Sequence, residues 1–129
     1  MELTAEVVEG FSNACLVKNY DTATEIPEFH RELWHYCCSP HRYTAIAAPR
    51  GHGKSTAVTH AYLLACLLFR KAKYSLIVSD SFSQAGLFLG DIIKELRDND
   101  DIHGLFGNIE FTKQTEDDII CKFEDGHTF

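Results

Sequence analysis

The order of three segments constrains the fold of this chain more than any other feature. RYTAIAA, at 42–48, is short, poor in polar residues and bounded by a Pro-Arg-Gly turn, as a strand buried on both faces would be. KSTAVTHAYLLACLLFRKAK, at 54–73, is apolar almost all round. It closes on Arg70, Lys71 and Lys73, cations that suit the negative end of a helix dipole. YSLIVSD, at 74–80, is aliphatic and β-branched and reads as a second buried strand. SFSQAGLFLGDIIKELRDND, at 81–100, reads as a second helix with an apolar face of Phe82, Leu87, Phe88, Ile92, Ile93 and Leu96. Strand, helix, strand, helix implies parallel strands with right-handed crossovers, so the expected fold class is α/β, a mainly parallel sheet flanked by helices.

The flanks of this core read differently. Residues 4–20 place Val7, Val8, Phe11, Cys15 and Leu16 on one helical face. After a polar turn, IPEFHRELWHYCC sets Pro27 at a first helical position and repeats Phe29, Leu33 and Cys37 four apart, before SPHR ends the helix. The expected division is therefore an N-terminal helical segment at 1–42 and a partial core at 43–129. In the tail, IEF, DDIICKF, EDG and HTF read as short antiparallel pieces with Asp125-Gly126 as a hairpin turn. The chain stops at Phe129 just inside an expected strand, which implies an incomplete sheet with an exposed edge open to self-association.

Composition excludes some roles. The 129 residues are 45% hydrophobic and 24% charged, as in ordinary globular domains. A net charge of −7 gives the whole chain no electrostatic footprint for gripping a phosphate backbone. Five cysteines without framework spacing, and no charged-then-apolar leader, point to free thiols in a reducing cytoplasm. The longest apolar run, at 61–69, is too short to cross a bilayer.

Between the first expected strand and helix lies APRGHGKST, at 48–56. A phosphate-binding loop turns backbone N–H groups inward and sets the polyphosphate at the start of the next helix, where unpaired amides and the dipole favour anions. Gly51 and Gly53 supply the permissive backbone, Lys54 reaches the β- and γ-phosphates, and Ser55 holds Mg²⁺ through its hydroxyl. Ala48 stands where the strict pattern has glycine, a mild departure because that position needs only a small residue. Pro49, His52 and Thr56 complete the loop, and His52 either contacts phosphate or faces solvent. The relaxed pattern arises by chance in roughly one in a hundred chains of this length, so its position between a strand and a helix carries the weight. Arg50 is either a cis-acting cation on the γ-phosphate or an arginine paired to a carboxylate in the same domain.

YTAIA before APRGHGKST, a long apolar helix after it, and then SLIVSDSFSQAGLFLGDIIKELRDNDDIHGLFG together resemble the N-terminal ATPase region of the large terminase subunit of tailed bacteriophages. The resemblance covers about 26–129 and is most specific in the arginine-containing loop and the I-V-S-D-S-x-x-Q-A strand end. It implies a P-loop NTPase of the helicase-like, additional-strand type that uses ATP and Mg²⁺ to drive double-stranded viral DNA into a procapsid. A small terminase subunit and a portal protein would be partners, in the cytoplasm of an infected or lysogenic bacterial host. It places Arg50, Gly51, Gly53, Lys54 and Ser55 in the Walker A motif, with Lys54 and Arg50 in catalytic roles. More loosely, it sets Pro27, Phe29 and His30 in an adenine-contacting motif and 79–84 in a DNA-facing loop.

The family's Walker B, coupling motif and nuclease should lie beyond residue 129. Asp80, at the end of SLIVSD, is a poor substitute, because Ser81 stands where the water-orienting glutamate is needed. Glu116, Asp117 and Asp118 precede a strand rather than end one and read as a solvated turn. The chain alone is therefore expected to hydrolyse ATP poorly or not at all. The alternatives are a fragment of another P-loop helicase-like ATPase and a non-catalytic remnant that binds nucleotide or a partner.

Two other constellations have plainer explanations. His35, Cys37, Cys38 and His41 have the wrong spacing for a closed tetrahedral zinc site, and packed thiols beside a surface histidine fit better. Trp34 and Tyr36, near Arg31 and Arg42, could form a stacking platform for single-stranded DNA, but the amphipathic pattern favours packing.

Overall fold

The structure is a computed structural model that describes residues 3–16, 26, 28–40, 43–47 and 56–129. The chain divides into two compact units, Met1–Lys71 and Ala72–Phe129.

The first unit is helical. Helix α1 (Ala5–Phe11) starts where the Thr4 hydroxyl accepts a hydrogen bond from the Val7 amide at 3.3 Å, satisfying one of the orphan N–H groups of a helix start. A π-helical turn, Ser12–Leu16, extends it, and Val8, Phe11, Cys15 and Leu16 are buried along one stripe. Helix α2 (Glu28–Cys37) buries Leu33 and Trp34, whereas Phe29 and Cys37, expected on the same face as Leu33, are only half-buried. Its Arg31 reaches Glu9 of α1 at 2.7 Å, a partly solvated pair of the kind that contributes little to stability.

A π-helical segment, Thr56–Tyr62, runs directly into helix α3 (Leu63–Leu68). The inner side chains Ala57, Ala61, Leu64, Ala65, Cys66, Leu67 and Leu68 are buried, and Phe69 meets Phe11 edge to face at 6.0 Å. The helix ends before Arg70, Lys71 and Lys73, the cations expected at its C-terminal end. Arg70 adopts a left-handed φ of 62°, and the Lys71 amide reaches back to the Cys66 carbonyl at 2.8 Å, closing a Schellman-type turn.

In the second unit, Ser81 caps helix α4 (Phe82–Asp98) by accepting from the Gln84 amide at 3.1 Å. Only the C-terminal half of α4 is buried, through Ile92, Glu95 and Leu96, while Phe82 and Leu87 of its expected apolar face lie exposed. Asn99 ends α4 and begins helix α5 (Asp100–Phe106), its Oδ1 accepting from the amides of Asp101 at 3.0 Å and Ile102 at 3.2 Å. Strands β1 (Ile109–Gln114) and β2 (Ile119–Phe123) pair antiparallel, with a bulge between Phe111 and Lys113. The tail turns at Gly126, whose φ of 95° suits glycine, and runs back along β2. There the amides of Cys121 and Phe129 each donate to the other residue's carbonyl, at 2.8 and 2.9 Å. Ile92, Leu96, Ile102, Cys121 and Phe123 make up the core of this unit.

The expected α/β class with a parallel sheet is not what the chain adopts among the described residues. They are mostly helical, and their one sheet is this two-stranded antiparallel one. Residues 43–47 and 74–80, expected as buried parallel strands, belong to no strand. Tyr74, Leu76 and Val78 are 78%, 71% and 81% exposed, the opposite of a strand covered on both faces. A parallel strand is held by ladder hydrogen bonds to distant strands and by helical layers on each face. Neither run has such a neighbour among the described residues, so apolar character alone does not make it a strand. A P-loop α/β core is accordingly not supported.

Candidate nucleotide-binding site

Ala48, Pro49, Arg50, Gly51, His52, Gly53, Lys54 and Ser55 lie outside the described residues, as do Pro27, His41 and Arg42. Thr56 is described: it is half-buried and helical, in the described run 56–68. Two hydrogen bonds tie this run to α2. The Trp34 indole N–H donates to the Ala57 carbonyl at 2.8 Å in a buried hydrogen bond. Five residues further on, the Tyr62 hydroxyl donates to the Cys37 carbonyl at 3.0 Å. Ala57 and Ala61 are small enough for α2 to approach closely at this point, and both are buried.

The tertiary fold also gathers thiols beside these two bonds. Cys37 and Cys38, at the end of α2, come into the electrostatic surroundings of Cys66 on α3, and the Tyr62 hydroxyl meets the Cys66 thiol. Burial, reinforced by the neighbouring Cys66, pushes the Cys38 thiol up to about 11 and raises Cys37 as well. Cys66 is raised by burial, against the opposing influences of the neighbouring Tyr62 hydroxyl and the charge of Lys71. Burial comes first among the causes that lift the Tyr62 hydroxyl above its usual range. These groups are neutral at physiological pH and act as packing. Among the described residues, no three His, Cys, Asp or Glu side chains are grouped so as to hold a metal ion.

The other residues singled out by sequence fall apart spatially or change character. Asp80 is exposed and ends no strand; it precedes the Ser81 cap of α4. Ser79 lies in the connecting segment, whereas Phe82, Ser83 and Gln84 form the first turn of α4. Phe29 and His30 sit half-buried on α2, with His30 6.1 Å from the Trp34 ring. Trp34 is 1% exposed, so its ring cannot join Tyr36 in a base-stacking platform.

Sequence reasoning missed the two hydrogen bonds that tie α2 to the helix after the loop. Trp34 adjoins Leu33 on the amphipathic stripe, and an indole N–H on a buried face needs a partner, which is the one available signal. Among the described residues, no helix is long and apolar enough to cross a membrane. Comparison with family models, with curated proteins and with solved structures gives no match for this chain.

Proposed function

We propose that residues 48–56 bind the polyphosphate of Mg-ATP, with Lys54 on the β- and γ-phosphates and Ser55 on Mg²⁺. What supports this is the glycine-lysine-serine sequence itself, together with the helical residues described from Thr56 onward. A helix beginning at this loop would offer unpaired amides and the positive end of its dipole to the phosphates. The strand expected before the loop is absent among the described residues, so the reading rests on the motif and the helical residues after it. From the terminase resemblance we further propose that the chain is the ATP-binding N-terminal part of a viral DNA-packaging motor. Its partners would be double-stranded DNA, a small terminase subunit and a portal protein, in the host cytoplasm.

A non-catalytic nucleotide-binding module is the second reading, favoured by the position of Asp80 on an exposed segment outside any strand. Phosphoryl transfer depends on a metal-holding carboxylate and a water-orienting group fixed in place, and such a segment offers neither. Titration calorimetry with Mg-ATP on the native chain and Lys54→Ala, with phosphate release followed in the same samples, tests both readings. Binding that is lost in Lys54→Ala supports the loop. Turnover dependent on Lys54 would overturn the non-catalytic reading, and an absence of binding in the native chain would overturn the nucleotide site.

A further inference from the structure

We infer that Cys38 and Cys66 are a redox pair that peroxide closes to a disulfide, locking the end of α2 to α3. Both are free thiols of the first compact unit.

The two hydrogen bonds between these segments set their facing sides. From Trp34 to Cys37, and from Ala57 to Tyr62, the tied residues advance in the same chain direction. The Cys38 amide donates to the Trp34 carbonyl at 2.9 Å, so Cys38 stands one helical turn beyond Trp34 on the side that faces Ala57. Cys66 lies four residues beyond Tyr62, whose hydroxyl its thiol meets. That hydroxyl is 3.0 Å from the Cys37 carbonyl, so one oxygen touches both the Cys66 thiol and the backbone beside Cys38. Cys66 also bears on the Cys38 thiol more strongly than the adjacent Cys37 does. Of the two neighbours, Cys38 is the better placed: Cys37 is the last residue of α2, whereas Cys38 lies just past it, with the backbone latitude that disulfide geometry demands.

Burial keeps both thiols protonated at neutral pH, so the reaction is slow and needs sustained oxidant. The half-buried Cys38 gives up its proton and attacks one oxygen of hydrogen peroxide, breaking the O–O bond. The products are a sulfenic acid and hydroxide, which takes the proton and leaves as water. The Cys66 sulfur then attacks the sulfenic sulfur, and its proton leaves with the sulfenic hydroxyl as a second water. Two thiols have lost two electrons, and one peroxide has become two waters. The bridge closes residues 39–65 into a covalent loop, which restricts the unfolded chain.

The test treats the whole reduced chain with hydrogen peroxide and maps its peptides by mass spectrometry without reductant. The expected product is a Cys38–Cys66 peptide within monomers, about 2 Da lighter than the two free peptides together and reopened by dithiothreitol. The bridged chain should unfold roughly 5–15 °C above the reduced one, a shift absent in Cys38→Ser. A Cys37–Cys66 bridge would overturn the pairing. Unreacted thiols, sulfinic acids or bridges between chains, with no internal disulfide, would overturn the redox pair, and an unmoved midpoint in the bridged chain would overturn the lock. If Cys38→Ser does not fold, the peptide map and the native chain's midpoint before and after dithiothreitol decide.

Discussion

Asn99 joins α4 to α5 through three hydrogen bonds from one side chain, and removing them has a calculable cost. Its Oδ1 caps α5 by accepting from the Asp101 and Ile102 amides at 3.0 and 3.2 Å, while its Nδ2 donates to Glu95 Oε2 at 2.7 Å. Asn99 and Glu95 are both buried. Losing an N-cap of this type costs about 1 kcal/mol. Losing a hydrogen bond to a carboxylate costs about 1–2 kcal/mol more. Asn99→Ala should therefore destabilise the second unit by about 2–3 kcal/mol. Asn99→Ser keeps a capping oxygen but gives up the amide donor to Glu95, so it should fall about 1 kcal/mol short of the alanine variant's loss. Urea unfolding followed by far-ultraviolet circular dichroism measures both. Equal stabilities for the serine and alanine variants would refute a contribution from the cap, and an alanine loss below about 0.5 kcal/mol would refute the whole account.

Three further outcomes are expected. Arg70 holds a left-handed φ of 62° at the end of α3, where glycine carries no side-chain penalty, so Arg70→Gly should raise the thermal midpoint, by about 1 kcal/mol in stability; a lower midpoint would contradict this. Burial raises the Cys38 thiol from 9.0 to about 11, so the stability it contributes is intact below pH 9 and is lost as pH rises towards 11. Its alkylation by iodoacetamide should accordingly stay slow at neutral pH and accelerate only in that alkaline window; rapid labelling of Cys38 at neutral pH in the folded chain would count against it. Tyr74, Leu76 and Val78 are exposed together, and the tail at 127–129 offers a sheet edge, so the isolated chain should self-associate as concentration rises; a strictly monomeric sedimentation profile would refute this.

Local signals account for much of what the sequence by itself determined. Of the expected stripe, Val8, Phe11, Cys15 and Leu16 are buried and Val7 is only half-buried, because residues three and four apart share a helix face whatever lies opposite. Asp125-Gly126, expected as a turn, precedes the return of the tail along β2, because turn formation is settled within a few residues. The sequence APRGHGKST is local information of the same kind and names a candidate site, of which 48–55 lie outside the described residues.

Only the tertiary structure decided what depends on partners distant in the chain. Apolar character in 43–47 and 74–80 could not say whether another strand would come to lie beside them, and a strand without a ladder is not a strand. Spacing put Phe29, Leu33 and Cys37 on one face of α2, but packing chose Leu33 and Trp34, because the indole found its acceptor 23 residues away at Ala57. The thiols of Cys37 and Cys38 came together with Cys66 in the same way, through helices that meet only after folding. Burial and hydrogen-bond partnership are properties of pairs, and a sequence pattern describes one member of each pair at a time.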